Sequence, residues 1–133
     1  MKLFEGEAYI EKSSKFYGYF FDVNSVQEFK QILDDLKKKH KGAGHFCYGY
    51  RIEESTCGEQ ESMFDEKVLS EKKSDDGEPS GCGKILLNLL RHYKHKNAAL
   101  IVVRYWGGIL LGAGPLVRAY KTAGANALKC VSE

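Results

Sequence analysis

Apolar and polar positions in this chain repeat with two periods, and each change of period marks off an element. Phe4 to Glu11 and Lys15 to Val23 read as two strands. Phe16, Tyr17, Tyr19, Phe20 and Phe21 favour a pleated surface, and Ser13-Ser14 supplies a turn between the two. Asn24 or Ser25 then caps a helix in which Val26, Phe29, Ile32, Leu33 and Leu36 recur at helical spacing, with Gly42 as a natural stop. His45 to Ile52 alternates again and predicts a third strand. Glu53 to Ser74 is polar and weakly patterned, which predicts a long loop anchored by Met63, Phe64, Val68 and Leu69. Lys84 to Tyr93 is a helix burying Ile85, Leu86, Leu89 and Leu90, and Ala98 to Arg104 is apolar throughout, as a central strand requires. After a glycine turn at Gly112–Gly114, Pro115 suits a first helical position, and Leu116, Tyr120, Ala123 and Ala127 mark the last helix's buried side.

The order β-β-α-β-α-β-α predicts an α/β (α+β) fold of two layers, a sheet covered by helices. At 133 residues the chain is expected to form one domain over residues 1–133 with a single core. No apolar run approaches the roughly 18 residues of a membrane span. Met1-Lys2-Leu3-Phe4 runs directly into Glu5 and Glu7, so no signal-peptide apolar region is expected. Cys47, Cys57, Cys82 and Cys130 form no C-x-x-C pair, so a reducing, cytoplasmic setting is expected.

Net charge is +2, but residues 53 to 78 hold ten acids and three lysines, leaving a strongly basic remainder. Lys37-Lys38-Lys39-His40-Lys41 and Arg91-His92-Tyr93-Lys94-His95-Lys96 are the basic clusters. A basic body suits a polyanionic partner such as RNA or the ribosome, and equally suits solvated helix ends that complement the helix dipole.

The densest chemistry lies in Ser74-Asp75-Asp76-Gly77-Glu78-Pro79-Ser80-Gly81-Cys82-Gly83-Lys84. Glycines before a helix can aim amides at an anion, or can simply shape a helix entry. Position 78 is Glu and position 85 is Ile, where a P-loop needs Gly and a hydroxyl, so nucleotide hydrolysis is disfavoured and no cofactor is expected. Asp75, Asp76 and Glu78 fit helix capping or partner contact better than a metal site, because no second carboxylate cluster accompanies them. His92 and His95 likewise lack further ligands. Cys82 at a helix start, with His45 as base, is the alternative nucleophile arrangement, set against simple packing of a small side chain. Arg51, Arg104 and Arg118 stand beside aromatics, which is equipment for phosphate contact or for internal pairing with the acidic turn.

Four ordered stretches carry a resemblance to the IMPACT/YigZ family: Ser13-Ser14-Lys15-Phe16, Ala43 to Ile52, Ser74 to Gly83, and Arg104 to Gly112 continuing into Leu116-Val117-Arg118-Ala119-Tyr120. The resemblance implies a fold similar to domain 2 of ribosomal protein S5. It also implies a non-enzymatic translational role, through the ribosome, RNA or a ribosome-associated activator of an amino-acid-starvation kinase. Family members often add an N-terminal RWD domain or a C-terminal ferredoxin-like domain, and this sequence is expected to hold neither. The glycine turn is one residue shorter than the bacterial pattern and lacks its proline. His45, Arg51, Asp75, Asp76, Glu78, Lys84, Arg104 and Arg118 form the expected binding surface. A small hydrolase or transferase using Cys82, His45 and Asp76 is the alternative.

Overall fold

A computed structural model describes residues 3–55, 67–79 and 81–131. Its elements are β1 (Leu3–Glu5), β2 (Tyr9–Glu11), β3 (Ser14–Asp22), α1 (Val26–Lys39), β4 (His45–Ser55), β5 (Lys67–Ser74), α2 (Cys82–His92), β6 (Ala98–Tyr105) and α3 (Ala113–Val131). The strands form one antiparallel sheet in the order β1-β3-β6-β4-β5, with β2 also pairing β3. β6 lies at its centre, as its unbroken apolar run demands.

Alternation along the strands assigns the two faces. Phe16, Phe20, Cys47, Leu100 and Val102 pack under α2 and α3, whereas Tyr19, Phe21, Phe46, Tyr50, Ile101 and Val103 pack under α1. The mixed α/β class expected from the sequence is the class observed. Its layering differs, since helices cover both faces and the sheet is the middle layer rather than one of two. The apolar stripe of α1, Phe29, Ile32 and Leu36, is buried on the face opposite α2 and α3, where Phe29 packs on Phe21, Tyr48 and Tyr50.

Element boundaries also move, the start of α3 among them, since Ala113 and Gly114, expected as turn, are already helical and Pro115 is the third residue of the helix. The first strand is two short ones, β1 and β2, and the β2–β3 turn is Lys12-Ser13, both with positive φ, so Ser14 already belongs to β3. Of the two caps expected for α1 it is Ser25 that serves, its hydroxyl accepting from the Glu28 amide at 3.1 Å. Residues 67–74, expected as loop, form an edge strand on β4. Its charged, mostly exposed side chains hide the alternation and are what protects an edge from pairing further. Met63 and Phe64 lie outside the described residues.

Candidate functional site

The turn after β5, the starts of β3 and β4, the end of β6 and the starts of α2 and α3 converge at one end of the sheet. Backbone geometry builds the turn first. Asp76 and Gly77 both take positive φ, 45° and 81°, a conformation that Asp tolerates and Gly adopts freely. That reversal aims three carboxylates at three targets. Asp75 Oδ1 accepts from the Gly83 amide at 2.7 Å, satisfying an orphan donor in the first turn of α2. Asp76 Oδ2 accepts from the Phe46 amide at 2.7 Å, tying the turn to β4. Glu78 turns inward and is 7% exposed.

Around Glu78 the charges close on one another. Nη1 of Arg104 donates to both carboxylate oxygens, at 2.8 and 2.7 Å. Tyr120 Oη donates to Oε2, and burial pushes its phenol well above the usual range, so it stays a donor. His45 Nε2 lies 3.2 Å from Oε1, while its Nδ1 donates to the Asp76 carbonyl at 2.8 Å. Arg104 is itself 4% exposed, with its guanidinium 5.4 Å from the ring of Phe16 and 5.8 Å from that of Trp106. Its Nη2 donates to Ser14 Oγ at 3.4 Å, and Nε has no partner among the described residues. Ser14 Oγ also accepts from the Gly107 amide, where a Cβ would fall 2.2 Å from the Ser13 carbonyl carbon. Only glycine allows that approach, and it fixes the departure of the chain from β6.

The expected site residues thus divide. His45, Asp75, Asp76, Glu78 and Arg104 come together as an internal clamp, and Arg104 takes the pairing role rather than facing a ligand. Lys84 and Arg118 are exposed on α2 and α3. Arg51 is elsewhere: it pairs in register with Ala98, at the opposite end of β6, and binds Glu71 at 2.8 Å and the His95 carbonyl at 3.0 Å. Cys82 is sealed, its thiol donating to the Pro79 carbonyl, and both ring nitrogens of His45 are engaged away from it. The geometry therefore supplies no Cys82–His45 pair. His95 packs on Phe20 and shares nothing with His92.

Sequence reasoning passed over Ser14 and Tyr120, whose polar atoms complete the clamp. It also placed His40 in a basic cluster, whereas His40 is buried between tyrosines. Tyr19 Oη donates to Glu5 at 2.9 Å, so Nε2 of His40 donates to Tyr19, and Tyr105 Oη donates to Nδ1, each at 2.6 Å. Burial lowers the His40 pKa and raises that of Tyr19. Lys37 and Lys39 lie over the rings of Phe46 and Tyr19. An isolated His in a lysine run gives no sign of this.

A mixed α/β domain with one loop end locked by a buried Glu–Arg–Tyr cluster, bordered by the half-buried His45, is what fold and site define. The Impact N-terminal domain model matches residues 12–128, and the chain belongs to that family. It is 39% identical over 117 residues to the IMPACT family member YvyE of Bacillus subtilis, covering 87% of this chain and 48% of the relative. Similarity to YigZ of Escherichia coli is 34% over 110 residues, 82% of this chain and 49% of the relative. Protein IMPACT of Rattus norvegicus is 31% identical over 109 residues, 80% of this chain and 31% of its own length. The chain thus spans about half the length of these bacterial relatives. Among solved structures, a hypothetical protein superposes with TM-score 0.74 at 29% identity, over 97% of this chain and 61% of that one. The two-domain translational regulator Yih1 superposes with TM-score 0.61 at 23% identity, over 98% and 46%. Among the described residues no helix is long and apolar enough to cross a membrane.

Proposed function

We propose that this domain is a non-enzymatic, cytoplasmic regulator of translation that docks on the ribosome or a ribosome-associated component through the loop end described above. One observation carries this reading. The buried clamp consumes the motif's own charges in holding the loops, and around it Lys84, Arg118, Trp106, Ile109 and Leu110 stand exposed. Rigid scaffolding beneath exposed apolar and basic side chains is an arrangement for a partner, since nothing in the fold needs them outside. The translational role named for Yih1, a protein of the same fold, supports the choice of partner. Catalysis by Cys82 is not favoured, because no substrate reaches a sealed thiol. His45, Asp75, Asp76, Glu78 and Arg104 act as positioning residues in this reading, while Lys84 and Arg118 make contact.

Co-sedimentation with purified ribosomes across a salt series tests this directly. Binding should weaken as salt rises and fall further in a Lys84→Glu, Arg118→Glu variant, whose exposed positions leave the fold intact. Absence of binding at low salt, or an unchanged affinity in the variant, overturns the direct docking mode.

A further inference from the structure

On the α1 face of the same sheet end lies an open depression of about 350 Å³ lined by Ser13, Lys15, Tyr17, Tyr105 and Trp106. Sheet register explains its shape. Ile10 pairs with Lys15, and Lys15 with Tyr105, so the three lie in one row across β2, β3 and β6. Gly44, whose amide bonds to Arg104 next to Tyr105, has nothing within 4 Å of an added Cβ, and the row stays open beyond Tyr105. The rings are held rigidly: Tyr17 and Tyr105 pack edge to face at 5.7 Å, and Tyr105 is bonded to His40. Trp106 is 56% exposed, an unusual position for the chain's one tryptophan, and Arg104 of the clamp lies over its ring, 5.8 Å from the centroid. The lining holds one cation and no carboxylate; exposed Lys12 directly precedes Ser13 of the lining, and exposed Lys41 directly precedes Gly42, where an added Cβ would lie 3.6 Å from the Tyr105 ring.

We propose that this depression binds single-stranded RNA, with a base stacked on Trp106 beside Tyr105 and neighbouring phosphates meeting Lys15 and Lys41. Fixed aromatic faces next to lysines on an open floor match the way single strands are held, by stacking and backbone attraction without base readout. An acidic peptide would use the lysines but leave the exposed indole without a planar partner. RNA rather than DNA rests on the translational reading above.

Trp106 supplies the probe. Titrating the protein with a ten-nucleotide oligouridylate should quench its tryptophan fluorescence, in a salt-dependent manner. Anisotropy of the same oligonucleotide carrying a fluorescent label then reports on variants that lack the indole. Trp106→Ala should weaken binding about 5- to 150-fold, the equivalent of one lost stack, while Trp106→Phe retains most of it. Lys15→Ala should reduce the salt slope by about one. Absence of quenching at low salt, or unchanged affinity in both Trp106→Ala and Lys15→Ala, overturns the proposal. Oligodeoxythymidylate binding as tightly as the RNA overturns RNA as the partner. Ribosome co-sedimentation of the same variants separates the two readings. Sedimentation without oligonucleotide binding removes the groove and leaves the translational role, with a protein partner in place of RNA. Quenching without sedimentation does the reverse.

Discussion

Glu78 receives two hydrogen bonds from a single nitrogen of Arg104, and both side chains are about 95% or more removed from solvent. Five elements meet on this pair through Ser14, His45, Tyr120 and the Asp75–Asp76 turn. A buried ion pair gains little over an apolar replacement, but either partner alone is an uncompensated charge in a poor dielectric. Its value is therefore positional, in bringing loops from distant parts of the sequence to one place.

Arg104→Met should destabilise the domain by about 3–5 kcal/mol by orphaning the Glu78 carboxylate. Glu78→Leu in the same background should recover a large part of that loss. Urea denaturation of the two single variants and the double variant gives the coupling. Additive losses would mean that the two side chains act independently.

Stability should decline in mildly acidic solution because of His40. Burial lowers its folded pKa below the ordinary value, with the Lys39 charge adding to the effect. Above about 6.5 both states hold it neutral. As pH falls from there through the folded value, the unfolded chain binds the proton first, and stability is lost. His95, also lowered by burial, adds in the same direction. Thermal melts from pH 7.5 to 5 should show the decline, and His40→Gln should flatten it. A pH-independent midpoint in the parent protein would refute the burial of His40.

Glu71 behaves differently. Hydrogen bonds from Arg91 and then Arg51 hold its carboxyl down to about 2, so it contributes stability above about 4.5 that vanishes as pH drops toward 2. The Arg91 side chain is 46% exposed, and solvent screening makes that contribution small. Carbon-detected NMR titration of Glu71 should give the depressed value, and Arg91→Ala should raise it toward the ordinary range. Arg51, only 14% exposed, keeps it from returning fully.

How legible these features were in the sequence follows from their range. The helices announce themselves because residues such as Phe29, Ile32 and Leu36 bury one face at a regular period, and β3, β4 and β6 because apolar and aromatic residues crowd them, Phe16 and Phe20 toward one face of the sheet and Tyr19 and Phe21 toward the other. β5 does not, since an edge strand of Lys, Ser and Glu makes its hydrogen bonds without burying alternate positions. The acidic turn is conspicuous as composition, yet Asp75, Asp76 and Glu78 look alike in sequence. Their three fates are set by positive φ at residues 76 and 77 and by partners 8, 30 and 26 positions away. Arg51 and Arg104 are equally indistinct by neighbourhood, and antiparallel pairing sends them to opposite ends of the sheet. His40 and Tyr105 are 65 residues apart, beyond any local signal.

Cysteine reactivity gives the most direct test of whether this loop end performs chemistry. Cys47 and Cys82 are both sealed, and the Cys47 thiol is pushed up by the neighbouring Cys82 thiol and by burial. Its hydrogen goes to the Asp75 carbonyl at 3.1 Å, that of Cys82 to Pro79 at 3.3 Å. Thiolate is the reactive form; burial disfavours it at Cys47, and neither sulfur is exposed to a reagent. In a Cys57→Ser, Cys130→Ser background, an aromatic disulfide reagent should label the native protein only at the rate of unfolding, and rapidly once urea is added. Placing Arg104→Met in that background should accelerate labelling, because the clamp closes the turn over both sulfurs. Prompt labelling of Cys82 in the native protein would show an open nucleophile at the start of α2, and would restore the hydrolase or transferase reading.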